Sequence, residues 1–179
     1  LDNLPTAPRE KFAANIAAIQ KLKEIEQRVA NGGSPAFEDE QKILAQYTGW
    51  GGLSDAFDPN KSTWSNEYSQ LKAALSESEY EAARSSTLTA FYTPATVIHP
   101  IYRALERFGV KGGKILEPSM GTGAFLAHGH FGSSDAKFYG VELDSITGRI
   151  SKQLYQKANI QVTGYENALL PDNYFDCVI

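Results

Sequence analysis

The run Lys114-Ile115-Leu116-Glu117-Pro118-Ser119-Met120-Gly121-Thr122-Gly123-Ala124-Phe125 constrains the chain more than any other. Its first four residues read as a buried strand, the glycines as a tight turn, and Ala124 as the start of a helix. Glu117 puts a carboxylate at the carboxyl end of the strand. Gly121 and Gly123 lack a Cβ, so the backbone can turn sharply and leave room for a ligand against it. The following helix aims its amino terminus at the same spot. In open α/β sheets, ligands bind in the crevice outside the carboxyl ends of the strands.

The turn does not suit a dinucleotide. The G-x-G-x-x-G/A fingerprint needs a small third residue for close helix–strand packing, and counting from Gly121 that position is Leu126. An acid just before the glycines is also a poor neighbour for a pyrophosphate. It suits a ligand with a positive end, such as the amino group and sulfonium of S-adenosylmethionine. The competing reading is a plain β–α turn with a solvated Glu117.

A second acid favours the ligand. Phe138-Tyr139-Gly140-Val141-Glu142 reads as the next strand, and Glu142 follows Glu117 by 25 positions. That is near the ~20-residue offset at which an acid meets a ribose in βαβ nucleotide sites. A carboxylate there can accept from both ribose hydroxyls. Asp144 reads as the cap of the following helix.

Residues 1–90 read as a helical region. Phe12, Ile16, Ile19, Leu22, Ile25 and Val29 form one stripe of a helix from Pro8 to about Ala30, stopped by Asn31-Gly32-Gly33. A second helix runs from Phe37 to about Tyr47. Thr48-Gly49-Trp50-Gly51-Gly52-Leu53 is either a loop pinned by a buried Trp or a base-stacking loop. Residues 54–66 read as loop anchored by Trp64. Helices follow from Glu67 to about Leu75 and from Ser76 to about Ser85, the second opened by a capping box, Ser76 with Glu79.

Residues 91–179 read as alternating helices and strands. Thr93 is the expected N-cap of an amphipathic helix carrying Val97, Ile98, Ile101, Tyr102, Leu105 and Phe108. Pro100 predicts a kink, or a start nearer His99. His99 reads as structural, and His128 and His130 as lacking ligand-like companions. After Glu142 a helix runs from Ser145 to about Lys157, with Ile146, Ile150, Leu154 and Tyr155 inward. Gly148 is expected to weaken it by about 1 kcal/mol relative to Ala. Ile160 to Tyr165 reads as a third strand, and residues 174–179 begin a fourth. The alternation predicts parallel βαβ units.

The totals exclude several classes. A charged share of 21% does not indicate disorder. No apolar run approaches the ~20 residues of a membrane span, and no signal peptide is visible. The single Cys177 excludes an internal disulfide, and no metal site is expected. A cytoplasmic setting is the expectation. The 17 basic and 21 acidic residues make no basic surface for non-specific nucleic-acid binding. The chain starts at Leu1 and stops in the apolar run Phe175 to Ile179, so it reads as a piece of a longer protein.

Phe-Tyr-Thr-Pro (91–94), Leu-Glu-Pro-Ser-Met-Gly-Thr-Gly-Ala-Phe (116–125), Gly-Val-Glu-Leu-Asp (140–144) and Gly-Tyr-Glu-Asn (164–167) resemble successive motifs of S-adenosylmethionine-dependent, adenine-specific DNA methyltransferases. Tyr-Thr-Gly-Trp-Gly-Gly-Leu (47–53) and Leu-Asp-Ser-Ile-Thr-Gly-Arg-Ile (143–150) resemble the methylase part of large methylase–helicase fusions of phages and conjugative elements. The resemblance covers roughly residues 40–179. It implies an α/β, Rossmann-like methyltransferase sheet of about four parallel strands, incomplete and preceded by the helical region.

The resemblance also implies site roles. Tyr92, Thr93 and Pro94 would border the methionine end of the cofactor. Glu117, Pro118, Ser119, Gly121 and Gly123 would line the methionine region, with Phe125 closing the floor. Glu142 would hold the ribose and Leu143 would pack on the adenine. Glu166, with Asn167 beside it, would meet the adenine amino group. The family's Asn-(Pro or Val)-Pro-aromatic motif, which acts on a flipped base, follows the fourth strand. It is expected beyond Ile179, so no catalytic residue is expected in this chain. DNA would be gripped by other parts of the parent protein, and the open sheet edge is expected to self-associate or to leave a disordered end. Two other readings remain: a methyltransferase for RNA, protein or a small molecule, and a non-catalytic scaffold module.

Overall fold

A computed structural model of the chain describes residues 4–129 and 136–179. Expectations for Leu1 to Asn3 and for His130 lie outside the described residues. The chain divides into two compact units, Leu1–Phe91 and Tyr92–Ile179.

The first unit is helical: α1 (Pro8–Ala30), α2 (Glu38–Leu44), α3 (Ser65–Ala74) and α4 (Glu77–Ser86). The α1 stripe is buried from Phe12 to Ile25, while Val29, in the last turn, is 42% exposed. Burying each large aliphatic side chain is worth about 1.5–3 kcal/mol, so this stripe organises the unit. Asn15 lies on the same face, fully buried. Its amide donates to the Gly49 carbonyl at 2.6 Å and its oxygen accepts from the Thr48 N–H at 2.8 Å. Asn15 thereby fixes the loop that carries Trp50.

Trp50 is buried among Phe12, Tyr47 and Phe57, with ring centroids 6.1, 6.4 and 5.4 Å away. It is therefore a core residue and cannot stack on a base. Gly52 N–H donates to the Thr87 carbonyl at 3.0 Å, and a Cβ on Gly51 would collide with the Ala90 carbonyl.

Segment 54–66 is not plain loop. It holds two 3-10 turns, Ser54–Phe57 and Ser62–Trp64. The α2 helix ends three residues earlier than its pattern predicts. At its start, Glu40 accepts from the Phe37 N–H at 2.9 Å and takes both Arg28 guanidinium nitrogens at 2.6 and 2.7 Å. The capping box of α4 forms as predicted: Ser76 Oγ accepts from the Glu79 N–H, and Glu79 accepts from the Ser76 N–H.

The second unit holds α5 (Ala95–Arg107), β1 (Lys114–Glu117), α6 (Ala124–His128), β2 (Lys137–Glu142), α7 (Ser145–Leu154), β3 (Asn159–Val162) and β4 (Cys177–Val178). The four strands are parallel in the order β3-β2-β1-β4, the α/β Rossmann-like arrangement expected. The chain winds outward from β1 to β3, then returns to the other side of β1. The topological switch point lies between β1 and β4, where open sheets of this kind form their crevice.

Side chains alternate across each strand, and the two faces are covered differently. Ile115, Phe138 and Cys177 share a register and a face. There they pack with Ile98 and Tyr102 of α5 and with Ala124 and Phe125 of α6. On β3, Val162 is in register with Glu142, two residues on from Gly140 and four from Phe138, so it shares that face. A Cβ on Gly148 of α7 would lie 2.8 and 3.0 Å from the Val162 methyls. Gly148 is thus the point where α7 comes close to the sheet, a role its low helix propensity does not reveal.

The opposite face carries Leu116, Tyr139 and Val141 and is crossed by the extended β3–β4 connection. Gln161 grips the Leu169 backbone through both its amide atoms, at 3.0 and 2.9 Å. Farther along, Tyr174 and Phe175 stack on Tyr139, and the Tyr139 and Tyr174 hydroxyls are 3.0 Å apart. Asp176 then accepts the Lys114 N–H at 2.8 Å.

Several local expectations are corrected. The α5 helix starts at Ala95, capped by Pro94 rather than Thr93, and runs through Pro100. Pro100 has no N–H for the Thr96 carbonyl, but Thr96 is exposed and water can serve instead. Val97 and Phe108, assigned to the apolar stripe, are 47% and 84% exposed. The α7 helix stops at Leu154, and Leu154 and Tyr155 are only half-buried. Strand β3 ends at Val162, and β4 is confined to two residues. No helix among the described residues is long and apolar enough to cross a membrane.

Candidate functional site

Beyond the tip of β1 the chain makes the glycine turn. Gly121 and Gly123 have φ of 54° and 76°, the left-handed region that favours glycine. Three contacts fix the turn. Met120 N–H donates to the Val141 carbonyl at 3.0 Å, and Gly121 N–H donates to a Glu142 carboxylate oxygen at 2.7 Å. Ser151 Oγ of α7 donates to the Gly121 carbonyl at 3.0 Å.

The glycines serve neighbouring rings. A Cβ on Gly121 would lie 2.7 Å from Tyr92 Cε1, and one on Gly123 would strike the Tyr155 ring. The expectation was space for a ligand; at the Cβ positions the space holds two tyrosines. The α6 helix that aims its amino terminus here is only five residues long, so its macrodipole is small.

Glu142 accepts twice from backbone, from Gly121 on one oxygen and from the Asp144 N–H on the other at 2.8 Å. Its two oxygens have about four lone-pair sites between them, so acceptor capacity remains for a ligand hydroxyl. Burial raises the Glu142 pKa, and the backbone N–H groups of Asp144, Gly121 and Leu143 work against that rise. Asp144 caps α7, accepting from the Thr147 N–H at 2.7 Å as predicted.

Glu117 differs sharply. It is 6% exposed, and its Oε2 has no hydrogen-bond partner. Burial first, and then the Glu142 charge, push its carboxyl up to about 8. Tyr102 and Tyr155 lie near enough to feel its charge, and burial raises both phenols. An orphaned buried carboxyl oxygen suits a ligand bearing a cation.

The structure brings Tyr92, Glu117, Gly121, Gly123 and Glu142 into one neighbourhood. The half-buried Tyr92 is hydrogen-bonded with the Thr147 side chain, and burial raises its pKa. Pro118 is half-buried, and Ser119, Thr93 and Pro94 are exposed. Leu143 is 76% exposed beside Glu142. Phe125 turns into the core, its ring 6.2 Å from that of Tyr102, and its carbonyl accepts the Tyr102 hydroxyl at 2.8 Å. Glu166 and Asn167 sit beyond the tip of β3, hydrogen-bonded to each other at 3.0 Å.

Sequence reasoning missed Thr147, Ser151 and Tyr155. All lie on α7 or its C-cap, and the only signal was their spacing, which puts Thr147 and Ser151 one turn apart on one face. His128 is also not isolated, because its ring meets His99 at 5.2 Å. Among the described residues no group of three or more possible metal ligands occurs.

No protein-family model matches the chain, and no solved structure matches it. Over 149 residues, 82% of its length, it is 26% identical to defense against restriction protein B of Escherichia phage P1, and it covers 5% of that protein. Over 90 residues, 50% of its length, it is 31% identical to modification methylase CviBIII of Paramecium bursaria Chlorella virus NC1A, covering 24% of it. The chain is thus methylase-related in sequence and spans a small part of each relative.

Proposed function

We propose that this chain forms the S-adenosylmethionine-binding side of a DNA methyltransferase that acts on the exocyclic amine of adenine. The observation that carries the reading is the pairing of Glu117 and Glu142. Two carboxyl groups stand at the tips of adjacent strands, and the Gly121 N–H of the turn after β1 holds the second of them. The similarity to a modification methylase supports it.

The donor set fits the cofactor. Glu142 keeps acceptor capacity for the ribose hydroxyls beside its backbone bonds. Glu117 has a buried, unpartnered oxygen for the cationic methionine end. Tyr92 walls the turn at Gly121, and Ser151 holds that peptide in place. Leu143 offers an exposed apolar surface to the adenine ring. When bound, the cofactor supplies an activated methyl group. The residues here bind and orient it and exclude water around its charged end. Base capture and the transfer step are assigned to parts of the parent protein outside these 179 residues, as is the grip on DNA. The open side of β4 is the proposed route of self-association, which light scattering reads directly.

Calorimetry with S-adenosylmethionine tests the reading. Hydrogen bonds to a charged group are worth about 1.5–3 kcal/mol, so Glu142→Ala is expected to weaken binding roughly tenfold or more. Unchanged affinity in that variant would remove the ribose assignment.

A further inference from the structure

Glu117 is a buried acid surrounded by groups that are neutral or negative. From β2 it meets Glu142, the one charge that acts on it. Tyr102 of α5 and Tyr155 at the end of α7 lie near enough to feel the Glu117 charge, and Tyr102 also feels Cys177 of β4. Around Glu142 stand Asp144 and Tyr92. An ionised carboxylate in such a place is costly, because burial strips water from Oε2 and no hydrogen bond replaces it. Two things can relieve that cost: a proton on the carboxyl, or a cation against it. They compete for the same oxygen.

We infer that Glu117 carries a proton in the ligand-free protein at neutral pH and releases it when a cationic ligand seats against it, so that the site selects ligands by charge. The inference rests on the ligand reading proposed above. In the exchange the carboxyl O–H bond breaks, the proton passes to bulk water, and the carboxylate forms an ion pair with the ligand's positive group. No other bond changes. Affinity for a cationic ligand then rises about tenfold per pH unit below the Glu117 midpoint and levels off above it. A nucleoside without a charged arm binds with no such dependence.

Two measurements on the full 179-residue chain test this. In the first, the chain is labelled with carbon-13 at the glutamate carboxyl carbons and titrated by NMR without ligand. The Glu117 signal is assigned by its loss in Glu117→Gln, whose amide copies the shape of the protonated acid, with circular dichroism checking that the fold is kept. A midpoint near 8 is expected, and a midpoint in the ordinary carboxylate range overturns the inference whether or not any ligand binds.

The second is calorimetry at pH 7 in phosphate and in Tris, buffers with different ionisation heats. S-adenosylmethionine is expected to release about one proton, and methylthioadenosine, which lacks the charged methionine arm, none. In Glu117→Gln the proton release on S-adenosylmethionine binding disappears. S-adenosylmethionine binding without proton release overturns the inference and leaves the nucleoside site standing. If neither compound binds, the ligand reading fails and the inference falls with it.

Discussion

The backbone N–H of Gly121 donates to the Glu142 carboxylate at 2.7 Å, so the turn after β1 is tied to the tip of β2. Glu142 also takes the Asp144 N–H, and a single carboxylate therefore closes two loops at once. Its removal has a structural cost apart from any ligand. Glu142→Ala leaves both N–H groups without their acceptor and is expected to destabilise the protein by about 1–3 kcal/mol. Glu142→Gln, which keeps one carbonyl acceptor, should lose less. Urea unfolding followed by circular dichroism measures the difference.

Gly148→Ala separates helix propensity from packing. Propensity alone predicts a gain of about 1 kcal/mol. The Val162 methyls at 2.8 and 3.0 Å from the added Cβ predict a loss instead. Combining Gly148→Ala with Val162→Ala should recover part of that loss. Additive free energies in a double-mutant cycle would show that the two residues do not meet.

The two units should answer pH with opposite signs. The Glu117 pKa is raised to about 8 in the folded protein, against an ordinary value near 4.5. Its contribution is fully present below about 4.5 and is lost as pH rises towards 8, at about 1.4 kcal/mol per unit. Glu117→Gln should flatten that decline in the second unit.

Glu40 behaves in reverse. The Arg28 hydrogen bonds, then the Phe37 N–H, lower its pKa to about 2. Its contribution is present above about 4.5 and is lost as pH falls towards 2. Both tryptophans, Trp50 and Trp64, belong to the first unit, so tryptophan emission follows the acid transition there. Glu40→Gln should make that transition less steep.

Asn15→Ala should be among the most damaging changes in the first unit. It strands the Gly49 carbonyl and the Thr48 N–H around a fully buried position. Each unsatisfied group costs about 1–3 kcal/mol. A fall in the thermal midpoint, with a red shift of Trp50 emission, is the expected result.

What could be read in the sequence was what local chemistry dictates. β1, the glycine turn and the start of α6 at Ala124 follow from a short apolar run and two glycines. The capping box at Ser76 and the cap at Asp144 follow from side chains that bond their own backbone. Other features depend on partners far along the chain. Ser151 reaches the Gly121 carbonyl only because α7 packs over the turn, and the fit of Gly148 to Val162 depends on sheet register. Helical spacing assigned Phe108 to the core, yet it caps α5 at the surface, since periodicity names a face without saying where the cover ends. The burial of Glu117 was equally hidden, because an acid at a strand tip reads as solvated until its neighbours are in place.

The β3–β4 connection has a mechanical meaning. It passes from one border of the sheet to the other as a strap, held by the Gln161 clasp at one end and the Asp176 bond at the other, with Tyr174 and Phe175 pressed against Tyr139 between them. The unit's own α5, α6 and α7 pack on the other side of the sheet. The strap thus binds the two borders of the sheet to each other through side chains as well as through the strand ladder, on the side away from the two acids.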